Sequence, residues 1–231
     1  MKICPMDKDF ILFRCLHNGP LSSSNIEAKS MNIASLTKEQ IDRNKKLLRR
    51  LIATYGSCAM LAMEGDSVIA HARFYPQIIY NRFEFCCHDP KHIITQEMVE
   101  MDLPPLTNPT ERILRITCFF VHKDYREQGL SHKLIDAILV WATNNGWRSV
   151  RCFAYQNSYW LASEMCTPML RTYTKHGFKK IETVKIPEAI DLLQQMKNGE
   201  LGTEKQKKLK ESCGNKDLSE FATFYEMERQ L

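Results

Sequence analysis

The chain has 231 residues, 44% hydrophobic and 26% charged, an ordinary globular balance that excludes a disordered protein. Its net charge of +5 is modest for 26.9 kDa and partly local, because Lys205, Lys207, Lys208 and Lys210 crowd a stretch that reads as a solvated helix face; no nucleic-acid partner is expected. No apolar run approaches the roughly 20 residues that span a bilayer, nine cysteines are scattered without regular spacing, and Met1-Lys-Ile-Cys-Pro does not start a secretory signal, so a cytoplasmic protein is expected.

In chain order, residues 10–16 read as a short strand before the loop Asn18-Gly-Pro-Leu-Ser-Ser-Ser. The first clear helix opens at Thr37, where Thr37 and Gln40 form a capping box and Leu36 can staple against Ile41. Ile41, Leu48, Leu51 or Ile52, and Tyr55 give its buried stripe, and Gly56 stops it. Residues 58–63, the turn Glu64-Gly65-Asp66 and residues 68–75 read as a β-hairpin ended by Pro76. Residues 81–112 are a polar, Pro-containing insertion too long for a simple connection. The run from Leu114 to Val121 is apolar and rich in β-branched and aromatic residues, as fits a strand buried on both faces. After the turn His122-Lys123-Asp124-Tyr125-Arg126 the period becomes helical from Gly129, with Leu130, Leu134, Ile138 and Trp141 or Ala142 on one stripe, until Asn144-Asn145-Gly146. Residues 149–155 follow as a strand, 165–176 as a helix capped by Gly177, 179–184 as a strand, 186–210 as solvent-facing helix, and 221–229 as a last alternating strand. No repeat and no second domain is legible; residues 1–231 read as one domain with insertions at about 81–112 and 186–216.

The functional signal lies where the buried strand hands over to the helix. In Arg126-x-x-Gly129-x-Ser131, backbone N–H groups and the positive end of the helix dipole converge where an anion could sit. Gly129 lets the backbone approach closely, Arg126 offers charge-assisted hydrogen bonds to phosphate oxygens, and small Ser131 keeps the first turn open. The spacing alone is common; the strand before it and the helix after it give it weight.

With that context, VHKDYREQGLSHKLI resembles the coenzyme A pyrophosphate motif [QR]-x-x-G-x-[GA] of the GNAT superfamily of acyl-CoA N-acyltransferases, with Ser131 standing where the family usually has Gly or Ala. A second stretch, Leu170-Arg-Thr-Tyr173-Thr-Lys-His-Gly177-Phe178, resembles the family's helix ending in L-Y-x-K-x-G-F. The resemblance implies an α/β (α+β) fold, a mixed, mostly antiparallel sheet flanked by helices with a central coenzyme A cleft. It implies acetyl or other short acyl transfer from acetyl-CoA to an amine, a small molecule or a peptide, by direct attack in a ternary complex. The cofactor-binding residues it implies are Cys118, Phe119, Phe120 and Val121 on the strand, Arg126, Glu127, Gln128, Gly129, Leu130 and Ser131 in the turn, and Asn157 after the following strand. Tyr173 matches the tyrosine that often reprotonates the departing thiolate; a packed core tyrosine is the plainer reading of the same residue.

A general base is where the chain departs from the family, since residues 114–121 hold no carboxylate. His71, Glu84 and Glu164 are candidates by position, and a water chain could serve instead. No metal is expected: Cys86-Cys87-His88 with His92 lacks the spacer that lets neighbouring thiolates share a tetrahedral ion. Cys118 and Cys152 read as small buried apolar residues. The aromatic end of the hairpin, with Tyr80, Phe83 and Phe85, suits either an acceptor pocket or the core. The alternative function is a catalytically silent acyl-CoA sensor or scaffold, and the oligomeric state is open, a homodimer included.

Overall fold

The hairpin at residues 58–75 organises the first of two units, Met1–Arg151 with Gln230–Leu231, and Cys152–Arg229. The computed structural model describes residues 1–16, 19–27, 37–83, 94–185, 187–214 and 217–231. The architecture is mixed α/β with mostly antiparallel strand pairing.

In the first unit β1 (Lys2–Pro5), β2 (Ala59–Glu64), β3 (Ser67–Pro76) and β4 (Ile113–Val121) pair antiparallel in that order. Gly65, at φ 59, makes the tight β2–β3 turn in a conformation a side chain would resist. β4 is buried on both faces, as its apolar run requires. Helix α1 (Lys38–Tyr55) opens on the expected capping box, with the Gln40 N–H donating to Thr37 Oγ1 at 3.2 Å and the Thr37 N–H donating to Gln40 Oε1 at 2.8 Å. It buries Leu47, Leu48, Leu51 and Tyr55. Helix α4 (Leu130–Asn144) buries the predicted stripe of Leu130, Leu134, Ile138 and Ala142, each large side chain contributing about 1.5–3 kcal/mol. Its Trp141 ring lies 5.0 Å from that of Phe74 on β3.

Three departures have physical causes. Residues 10–16 form no strand. Their carbonyls find a side chain rather than a ladder, as Arg73 donates to Leu12 O at 2.7 Å and to Arg14 O at 3.3 Å. The sheet's first strand is instead the four-residue β1, too short to show as a strand in the sequence. Directly after Pro76 the chain turns into α2 (Gln77–Phe83), where no helix was expected; Ile79 anchors it in the core. The 81–112 stretch contains α3 (Gln96–Glu100), held to α1 by Arg50, which donates to Val99 O and, at 2.9 Å, to Met101 O, and by the Tyr55 hydroxyl, which donates to Pro104 O at 3.0 Å.

The second unit takes up the chain within β5 (Ser149–Ala154) and continues through α5 (Tyr159–Glu164), α6 (Leu170–Lys175) and β6 (Lys179–Lys185). Helices α7 (Pro187–Lys197), α8 (Thr203–Cys213) and α9 (Leu218–Phe221) then lead to β7 (Thr223–Gln230), which pairs antiparallel with β6. The helix expected over 165–176 is confined to α6, because Met169 makes a parallel bridge with Tyr155 and Thr167 Oγ1 donates to Phe153 O at 2.6 Å. Nor is 186–210 simply solvent-facing. It is two helices, and Leu193 and Met196 of α7 and Leu209 of α8 pack with Tyr155, Leu161 and Phe224 into the unit's own core. The stripe was hidden by the polar residues that surround it, Asp191, Gln194 and Gln195 on α7 and the lysines on α8.

Candidate anion cradle at the start of α4

Where β4 ends, the chain makes a single 3₁₀ turn over Lys123–Tyr125 and enters α4 through Gly129, which sits in the left-handed region at φ 73. No side chain caps this N-terminus and its first turn carries no acidic residue. The first intrahelical bond runs from the Lys133 N–H to Gly129 O at 3.2 Å, so the N–H groups before Lys133 lie outside the helix's own ladder. A Cβ added at Gly129 would meet no atom within 4 Å among the described residues, so the backbone is open on that side. Glu127 is also left-handed, at φ 64. Two left-handed residues thus flank Gln128 directly before the helix.

The surroundings fix this turn in place. The Tyr125 hydroxyl donates to Glu64 Oε2 at 2.7 Å, and that bond holds the Tyr125 pKa above the ordinary phenol value. The His122 N–H donates to Ile69 O at 3.0 Å. Arg126 Nε donates to Val121 O at 3.2 Å, which leaves the two terminal nitrogens of its guanidinium as the ones to reach an oxyanion. Gln128 Nε2 reaches back to Asp124 O at 3.4 Å. Glu127, Gln128 and Gly129 are exposed, Ser131 is half-buried, and Leu130 is buried as the first core residue of the helix.

Of the predicted strand residues, Cys118, Phe119 and Phe120 are buried and Val121 half-buried. The first unit therefore carries residues 118–121 and 126–131 on one continuous strand, turn and helix. Asn157 and Tyr173 belong to the second unit. Asn157 Nδ2 donates to Glu220 O at 2.9 Å and braces α9. Tyr173 is 1% exposed, with its ring 5.1 Å from that of Phe178. Gly177, at φ 77, closes α6 behind it.

Among the candidate bases, Glu164 is paired with Lys205 at 2.5 Å, and Glu84, like Phe85, Cys86, Cys87, His88 and His92, lies outside the described residues. His71 is 0% exposed, and its Nε2 stands 3.6 Å from Cys118 Sγ. Sequence reasoning missed the neighbourhood of that pair. His71 and Cys118 are 47 positions apart, and only the β3–β4 register brings them together.

A buried strand, a basic turn and an uncapped helix N-terminus with a left-handed glycine thus follow one another in a mixed α/β protein. The acetyltransferase (GNAT) domain model matches residues 56–180, more than half of the chain, and the protein belongs to that family. The match runs from the end of α1 through the cradle and into β6, across both units. Among solved structures, the chain is similar to a ribosomal-protein-alanine N-acetyltransferase from Brucella melitensis, at 10% identity and a TM-score of 0.49, covering 100% of each chain. It is similar also to a GNAT-family acetyltransferase from Streptococcus pneumoniae, at 13% identity and a TM-score of 0.49, covering 100% of this chain and 98% of that one. A GNAT-family acetyltransferase from Elizabethkingia anophelis with acetyl-CoA bound has 13% identity and a TM-score of 0.44, over 100% of this chain and 97% of that one. No curated protein matches the sequence. No helix among the described residues is long and apolar enough to cross a membrane.

Proposed function

We propose that the protein transfers an acetyl or other short acyl group from acyl-CoA to an amine by direct attack in a ternary complex, with both units forming one acetyltransferase domain. The observation that carries this reading is the uncapped start of α4 behind β4, with Gly129 left-handed and open to a ligand. The N–H groups of the turn, with Arg126, bind the pyrophosphate of the donor. Residues 118–121 receive the pantetheine arm and the thioester, and their backbone amides stabilise the oxyanion as the amine nitrogen adds to the carbonyl carbon. The carbon–sulfur bond then breaks. Tyr173 gives its proton to the departing thiolate, and the proton of the attacking amine leaves through water, which also restores the phenol.

A full transferase and a silent coenzyme sensor share every binding feature and differ only in turnover. The deciding experiment is a screen of small-molecule and peptide amines with acetyl-CoA, detecting free coenzyme A thiol. Thiol release with at least one amine supports the transferase; tight coenzyme A binding with no release leaves the sensor. We place the protein in the cytoplasm, where its thiols stay reduced.

A further inference from the structure

A second chemistry-bearing cluster lies on β3 and β4, away from the turn. Cys15, His71 and Cys118 bring two thiols and an imidazole together, with all three ligand atoms within 4.8 Å of one another. His71 and Cys118 are buried and Cys15 is half-buried. Each is positioned by something other than its two companions. Arg73 grips the carbonyls of Leu12 and Arg14 at 2.7 and 3.3 Å and so presents the next residue, Cys15, to the sheet. The Phe120 ring stacks on that of His71, centroids 6.4 Å apart and planes 20° from parallel, which sets the imidazole plane. Cys118 stands diagonal to His71 across the β3–β4 pairing, which sets His71 opposite Phe120 and Cys118 opposite Arg73.

We propose that Cys15, His71 and Cys118 form a three-ligand site for a thiophilic divalent cation of the zinc type, with a fourth position left for water or another exogenous ligand. On a tetrahedral zinc with Zn–S about 2.3 Å and Zn–N about 2.0–2.1 Å, sulfur and nitrogen ligands stand about 3.6 Å apart and two sulfurs about 3.8 Å apart. The observed separation of His71 Nε2 from Cys118 Sγ is 3.6 Å, already a tetrahedral edge. With every ligand pair within 4.8 Å, Cys15 has to close by no more than about 1 Å to complete the tetrahedral edges. Two thiolates and one imidazole select zinc or a similarly soft ion over magnesium or calcium, which take oxygen. Binding converts two thiols to thiolates, so one cation enters as two protons leave, and affinity rises with pH. The site excludes the turn at residues 126–131 but shares Cys118 with the strand proposed to receive the thioester, and direct zinc uptake reads it separately from acyl transfer.

The test is titration of the reduced full-length protein with Zn²⁺ and with Co²⁺ as a spectroscopic stand-in. The expected result is one ion per chain, with thiolate-to-cobalt charge-transfer absorption and the intense visible bands of a tetrahedral centre. Cys15→Ser and Cys118→Ser should each weaken zinc binding by more than about a hundredfold, beyond the 10–100-fold that losing a group which merely orients a ligand brings about. Cys4→Ser, on β1, should bind like the parent. Circular dichroism checks folding; should Cys118→Ser not fold, Cys15→Ser on the irregular segment decides the matter. No stoichiometric uptake overturns the proposal. So does uptake retained in Cys15→Ser and lost in a Cys86→Ser, Cys87→Ser double variant, and so does a Cys15–Cys118 disulfide forming on oxidation in a protein that takes up no zinc when reduced.

Discussion

Replacing Gly129 with asparagine separates the backbone's conformational need from its openness to a ligand. At φ 73 most L-residues are disfavoured, an alanine by about 1–2 kcal/mol, whereas asparagine visits this region routinely. No clash adds to that cost, because a Cβ here meets nothing within 4 Å. Gly129→Asn should therefore leave the melting temperature within a few degrees of the parent. Its side chain, however, stands in the open space through which a pyrophosphate would reach the N–H groups, and its carbonyl oxygen competes for those donors as an N-cap does. Losing one charge-assisted bond to a phosphate oxygen removes about 1.5–3 kcal/mol, a loss of roughly 10- to 150-fold in coenzyme A affinity. Calorimetric titration of coenzyme A into both proteins measures it. A folded Gly129→Asn protein that binds coenzyme A as tightly as the parent would refute the assignment of this turn to the cofactor.

Arg126→Ala should weaken coenzyme A binding by on the order of 1–3 kcal/mol through a lost charge-assisted contact, read by the same calorimetry; unchanged affinity would remove Arg126 from the site. Tyr173→Phe keeps the packing on Phe178 but removes the transferable proton, so turnover should fall about 10²- to 10⁴-fold with acyl-CoA affinity and melting temperature little changed; a loss that shows first in stability would mean the ring only packs. In the second unit the Tyr155 hydroxyl donates to Phe221 O at 2.5 Å, and Tyr155→Phe should cost about 1–3 kcal/mol in thermal unfolding. Burial raises the Tyr155 pKa. Its contribution is accordingly complete below the ordinary phenol value of about 10 and is lost as pH climbs toward the folded value, so the parent should lose more stability between neutral and strongly alkaline pH than Tyr155→Phe does.

What could be read from the sequence was whatever a short window determines. The Thr37–Gln40 box, the Gly65 turn, the apolar run of β4 and the switch to a helical period at Gly129 each lie within a few residues, and all four stand where the pattern placed them. Long-range features were not readable. Nothing near Cys15 announces His71 or Cys118, and nothing in residues 10–16 says that their carbonyls go to Arg73 instead of a neighbouring strand. The cradle was half legible. Gly129 signalled a close backbone approach, but nothing marked Glu127, which adopts the left-handed region without being a glycine, because the bond from Tyr125 to Glu64 and the grip of Arg126 on Val121 fix the turn from both sides.

Arg73's hold on residues 12 and 14 has a kinetic consequence. The segment owns no ladder of its own, and its carbonyls meet their donor 61 and 59 positions further along the chain. Loop-closure entropy therefore delays it until the β2–β3 hairpin has formed. Its docking belongs on the native side of the folding barrier, and mutations there should speed unfolding while leaving the refolding rate nearly unchanged. Until it docks, Cys15 is not beside His71 and Cys118, so the two-thiol, one-imidazole cluster is assembled only in the last stage of folding and a newly made chain acquires it after its hairpin.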